Sequence, residues 1–320
     1  MQEIKKIEFR KVRDFSQKFN ATFEFLRQEF KPLLYCVIYI AGPFIVLGGI
    51  MGAYYQKNSL SLIDFSSFSE ELLGSDFWIS AVVMLVFSML AYIFIFAALN
   101  EYIKLYKASD HVRSQEVWTA VKQNLTGYIS SALALMVLMI FAMFAGGMIL
   151  GGLIVAANII LLNVFLFFAM MLGIMFLVII IYLSYITYNN EDIGIIGATN
   201  RVFKLLKGNW FDTLGLFIVA WIMTIVLNII FSLPNMIMTS IGVFHSIESK
   251  DTIQLSLSEE LLFGFTAFIS STGGFFVSII LMLVMIFQYY SLVEKREAHG
   301  LLNRIEEMGN KKQDEDEEHY

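Results

Sequence analysis

Charge-free apolar runs alternate along the chain with short segments dense in Lys, Arg, Asp and Glu. A hydrocarbon core of ~30 Å takes about 20 apolar residues in a helix. On that measure the pattern predicts six transmembrane helices, at about 33–55, 77–99, 128–150, 158–188, 213–238 and 261–290. The third and fourth come from one uncharged run, Tyr128 to Tyr188. As a single helix that run would be roughly 90 Å long, about three bilayers, so it must fold back. The reversal is expected near Gly151, Gly152 and Ala156 to Asn158, where small residues and an asparagine tolerate turn dihedrals. The expected fold is all-α and integral to the membrane: one polytopic domain over 1–309, then a disordered acidic tail at 310–320.

A second periodicity precedes each pair of spans. Val12, Phe15, Phe19, Phe23, Leu26 and Phe30 recur at intervals of three and four, as do Ile196, Thr199, Phe203, Leu206 and Trp210. Val117, Val121 and Leu125, beside Trp118, repeat the rhythm more weakly. Such spacing predicts amphipathic helices lying along the membrane surface, basic side toward the headgroups. The segments end alike, as Phe25-Leu-Arg-Gln-Glu-Phe30, Ala120-Val-Lys-Gln-Asn-Leu125 and Leu205-Leu-Lys-Gly-Asn-Trp210. The implied architecture is three repeats of an amphipathic surface helix plus a transmembrane hairpin. The loops Phe68-Ser-Glu-Glu-Leu-Leu73 and Leu257-Ser-Glu-Glu-Leu-Leu262 also match. Ser67 with Glu70, and Ser256 with Glu259, have the spacing of a capping box. A fourth surface helix is expected around Leu301, Leu302, Ile305 and Met308.

Charge sets the orientation. Of 22 Lys and Arg residues, all but Lys57 and Lys250 fall on one side of the predicted spans. By the positive-inside rule that side is cytoplasmic, and both termini with it. Tyrosines 102, 106, 182, 185, 188, 289 and 290 gather at the cytoplasmic ends of the even-numbered spans, where amphipathic rings prefer the headgroup layer. With 58% hydrophobic and 16% charged residues, the composition excludes an ordinary water-soluble domain. The single cysteine, Cys36, offers no disulfide framework. The first 31 residues are too polar for a signal-peptide core, so the first apolar stretch is expected to stay as an anchor.

Small residues mark expected helix contacts: Gly48 and Gly52 in the first span, Ala142, Gly146, Gly147 and Gly151 in the third, and Ala267, Ser270, Ser271 and Gly274 in the sixth. Pro43 and Pro234 are expected to bend the first and fifth spans. No ionisable residue lies in the central part of any span, which argues against an ion-coupled carrier. No metal motif, P-loop, GxGxxG or GxSxG is present, and the four histidines are scattered. No catalytic residue, metal site or cofactor is therefore expected.

The run Ala198-Thr-Asn-Arg-Val-Phe-Lys-Leu-Leu-Lys-Gly-Asn-Trp210, leading into an apolar span, resembles a signature of bacterial polytopic proteins. These include the membrane domain attached to glycerophosphodiester phosphodiesterases and YciC-like inner-membrane proteins. The resemblance implies a bacterial cytoplasmic membrane. It carries no catalytic residue across, since the chain has no room for a soluble phosphodiesterase barrel. The function expected is non-enzymatic: basic cytoplasmic helices engaging lipid headgroups or a partner protein through Arg201, Lys204, Lys207, Arg10, Lys11 and Arg13. Membrane lipids, a protein partner or a second copy are the expected partners, and nucleic acid is not. One alternative is an uncoupled permease or channel lined by Asn158, Asn163 and Asn228. Another is a lipid-modifying enzyme using carboxylates among Glu101, Asp110, Glu191, Asp192 and Glu294, although solvated helix ends beside basic neighbours are the favoured explanation of those residues.

Overall fold

The computed structural model describes residues 6–59, 75–109, 112–157, 160–249 and 256–297. Among them are seven helices and no strand: α1 (Phe15–Ser59), α2 (Ser75–Ala108), α3 (Ser114–Ala157), α4 (Ile160–Asn190), α5 (Ile195–Leu206), α6 (Trp210–Ser249) and α7 (Leu257–Glu297). All but α5 are long and apolar enough to cross a membrane. Six apolar helices of this length make the chain a multi-pass membrane protein.

Several helices overrun the predicted spans. The first surface segment and the first span form one 45-residue helix, α1, and the second surface segment joins the third span in the 44-residue α3. A helix of 45 residues is about 67 Å long, more than twice the hydrocarbon thickness. Only the third surface segment, α5, is a separate element. One residue explains the difference. Gly208 has φ +84°, a left-handed conformation that breaks α5 from α6, and the matching positions in the other two segments are Gln28 and Gln123. A glutamine continues a helix, whereas glycine enters the left-handed region without a Cβ penalty. α1 also passes through Pro32 and Pro43.

Of the positions expected for the reversal between the third and fourth spans, the glycines lie within a helix, and that helix ends within the stretch Ala156 to Asn158. α3 runs through Gly151 and Gly152 to Ala157, and α4 starts at Ile160. At the start of α7 the expected cap is present: the Ser256 N–H donates to Glu259 Oε2 at 2.9 Å, and Glu260 N–H donates to the Ser256 carbonyl. The loop 68–73 with Ser67, the helix expected at 301–308 and the tail at 310–320 lie outside the described residues.

The chain forms two compact units. The first comprises Met1–Gln28, Thr126–Ile218 and Leu283–Tyr320; the second comprises Glu29–Leu125 and Val219–Met282. In the first unit α5 packs on α4, and the fully buried residues include Phe25, Tyr128, Ile179, Val202, Leu206 and Phe287. In the second unit the small residues of α1 meet α7. A β-carbon on Gly49 would lie 2.5 Å from Thr272 Oγ1, and one on Gly52 would lie 2.7 Å from Ser271 Oγ. The first and sixth small-residue sets therefore pack together, with Ala53, Phe263 and Ala267 buried beside them. The set in α3 behaves differently: nothing lies within 4 Å of a β-carbon built on Gly146, Gly147 or Gly151.

Candidate functional site

All six basic residues singled out from the sequence belong to the first unit, but they do different work. Arg10, Lys11, Lys204 and Lys207 are exposed. Arg201 is half-buried and committed to protein. Its Nε donates to Glu191 Oε2 at 3.2 Å, its Nη2 pairs with Glu297, and Tyr289 donates to Glu191 Oε1 at 2.9 Å. These bonds tie the end of α4, the middle of α5 and the end of α7 together. Arg201 acts first as an internal clamp.

Arg13 is likewise held. Its backbone N–H donates to Ser291 Oγ at 3.1 Å, Nη1 donates to the Phe9 carbonyl at 3.2 Å, and the guanidinium lies 5.4 Å from the centre of the Phe287 ring. Burial lowers its pKa from the ordinary arginine value, while Glu8 and Glu24 pull the other way. The irregular segment 6–13 is anchored by Phe9, only 2% exposed. Its ring stacks on Phe287 at 4.6 Å between centroids and meets Phe25 edge-on at 5.3 Å. Arg10 and Lys11 are thus presented on a strap that the aromatic ring pins to α7.

Only part of each predicted apolar stripe in the first and third segments faces outward. In the first segment Val12, Phe15, Phe23 and Phe30 are exposed, while Lys18, Ala21, Thr22 and Phe25 are buried. In α5, Ile196 and Phe203 are exposed while Ala198, Val202, Leu205 and Leu206 are buried. The middle segment differs, with Val117 and Val121 fully buried and Lys122 lying 4.8 Å over the Trp118 ring.

Sequence reading overlooked one column of the aligned segment ends. Glu29 accepts a hydrogen bond from Tyr102 at 2.5 Å, Asn124 donates to Glu101 at 3.2 Å, and Asn209 accepts from Lys295 at 2.6 Å. The same position in three segments bonds each time to the last turns of an even-numbered span. The shared Glu, Asn and Asn were visible in the alignment; their partners were not.

The proposed polar path is only partly in view. Asn158 and the side chain of Asn163 lie outside the described residues. Asn228 is exposed on α6, its Oδ1 3.6 Å from where a β-carbon on Gly274 would stand. One polar seam was missed: Asn235 Nδ2 donates to Gln56 Oε1 at 2.6 Å, and Gln56 Nε2 donates to Ser271 Oγ at 3.2 Å, joining α6, α1 and α7 in the second unit. Two of the carboxylates considered for catalysis are engaged by donors. Glu101, 3% exposed, receives Lys104 Nζ at 2.9 Å as well as Asn124, and Glu191 receives Arg201 and Tyr289. Glu294 is buried, Asp192 is exposed, and Asp110 lies outside the described residues. Among the described residues, no three His, Cys, Asp or Glu side chains come together as metal ligands would.

Fold and site together define an all-α, multi-pass membrane protein with cationic and aromatic side chains crowded at helix ends. No family model, curated protein or solved structure matches the chain.

Proposed function

We propose that this chain is a non-enzymatic protein of a bacterial cytoplasmic membrane, with both termini inside, whose basic segments hold anionic lipid headgroups. The observation that carries the reading is the pairing of exposed apolar and exposed cationic side chains on the same short segments. Ile196 and Phe203 accompany Lys204 and Lys207, and Val12 and Phe15 accompany Arg10 and Lys11. Apolar groups left uncovered at the end of a transmembrane bundle enter the acyl boundary, and neighbouring cations then meet phosphates. The 20-to-2 division of Lys and Arg across the predicted spans supports the orientation. The recurrent Glu29, Asn124 and Asn209 bonds support a threefold repeat of segment and hairpin.

Each exposed cation near an anionic surface is worth about 1 kcal/mol, close to a fivefold preference. Changing Arg10, Lys11, Lys204 and Lys207 to glutamine is therefore expected to remove most of the enrichment of phosphatidylglycerol over phosphatidylethanolamine around the purified protein. Lipid mass spectrometry reads that enrichment. An unchanged lipid ratio, also insensitive to salt, would end the proposal. Labelling of single cysteines placed at 204 and 250 checks orientation, with only 204 expected to be reachable from the cytosol.

The seam of Gln56, Asn235 and Ser271 favours a second reading, an uncoupled permease for a small neutral solute. Solute flux in liposomes that disappears on Asn235→Leu or Asn228→Leu would promote it over headgroup binding.

A further inference from the structure

The start of α6 collects positive charge that nothing described so far uses. Asn209 precedes its first turn, and its side-chain oxygen accepts from Lys295 Nζ at 2.6 Å. The first intrahelical bond there is Thr213 N–H to the Asn209 carbonyl at 3.0 Å, so the amides of Trp210, Phe211 and Asp212 have no acceptor within the helix. The beginning of α1 packs against the next turn: a β-carbon on Gly215 would lie 3.9 Å from the Phe15 ring. One turn along α1 stands Lys18.

Lys18 is only 8% exposed, and among the described residues its ammonium makes neither a hydrogen bond nor an ion pair. Its charged neighbours are Asp212, Lys295 and Asp14. Asp14 is already engaged by α1, where Oδ1 accepts from the Gln17 N–H at 2.8 Å. Asp212 is exposed and forms no ion pair with Lys18. A lysine enclosed along most of its length without a bonded counter-charge is costly to keep, and a second lysine beside it raises the cost. An anion seated among Lys18, Lys295 and the three free amides would remove that cost. Free amides, a positive helix end and two ammoniums are the chemistry that takes phosphate.

We infer that the N-terminus of α6, with Lys18 and Lys295, is a binding site for one phosphate group. Phe211, 82% exposed in the first turn of α6, and Phe15, exposed at the start of α1, provide apolar surface that suits the acyl side of a phospholipid. A free phosphate ester shares the same head chemistry. For its lipid source the site rests on the headgroup reading above, but it uses neither Lys204, Lys207, Arg10 nor Lys11.

The test uses the full chain in detergent and native mass spectrometry, with phosphatidylglycerol and phosphatidylcholine as probes and glycerol 3-phosphate as competitor. Wild type should retain a single phosphatidylglycerol about tenfold more tightly than phosphatidylcholine. Lys18→Met, which keeps the buried stem, and Lys295→Gln, which keeps a donor to Asn209, should each weaken it about tenfold. Failure of millimolar glycerol 3-phosphate to displace the lipid assigns the site to a headgroup, and displacement assigns it to a soluble phosphate. Both uphold the anion site. Wild-type retention of phosphatidylglycerol in both variants overturns it. The quadruple glutamine variant separates the two ideas: it should lose the bulk lipid enrichment yet keep the single tight phosphatidylglycerol.

Discussion

Gly208 is the most economical place to challenge the account of why α5 exists. Its φ of +84° lies where an L side chain costs ~1–2 kcal/mol. Nothing lies within 4 Å of a β-carbon built there, so Gly208→Ala meets no neighbour and the penalty comes from the backbone alone. The variant is expected to lose about 1–2 kcal/mol. Asparagine populates the left-handed region several-fold more readily than other non-glycine residues, which at RT near 0.6 kcal/mol returns ~0.8 kcal/mol. Gly208→Asn should therefore fall midway, and Gly208→Val, being β-branched, should be worst. The neighbouring Lys207 carbonyl accepts from Arg296 Nη2 at 2.6 Å, so straightening the break also removes this tie to α7. Reversible unfolding in mixed detergent micelles, followed by far-UV circular dichroism, measures the series. Should alanine match glycine, or valine match asparagine, the left-handed break is not what separates α5 from α6.

Two further substitutions probe the packing. Arg201→Met leaves the half-buried Glu191 and Glu297 without their shared cation and is expected to cost about 1–2 kcal/mol, allowing for partial solvent screening, whereas Lys204→Met should stay within ~0.5 kcal/mol. A double-mutant cycle with Glu191→Gln reads the coupling, and a value near zero would deny Arg201 its role as a clamp. Gly49→Ala should cost about 1–3 kcal/mol by forcing α1 from Thr272 and Phe268, while Gly147→Ala, with open space around it, should be neutral or gain up to ~1 kcal/mol from helix propensity. Thermal inactivation midpoints in one detergent rank the pair, and equal losses would contradict the close approach of α1 and α7.

Length and charge in the sequence were enough to specify six apolar helices, because the bilayer accepts backbone only when a segment satisfies its own hydrogen bonds over about 20 residues. The capping of α7 by Ser256 and Glu259 was equally legible, since the cap is local. The direction of the apolar stripes was not. In water, periodicity names the face that meets protein, but in a membrane lipid is as apolar as the interior. Phe15, Phe23 and Phe203 could turn outward while Lys18, Thr22 and Ala198 turned in, and only side chains brought together from distant segments determine which. The same limit applies to charge. Arg201 and Lys204 look alike in sequence, three positions apart on one helix. Tertiary structure alone brings Glu191 and Glu297 to the first and leaves the second exposed, just as it sets Lys18 beside Lys295 at the start of α6.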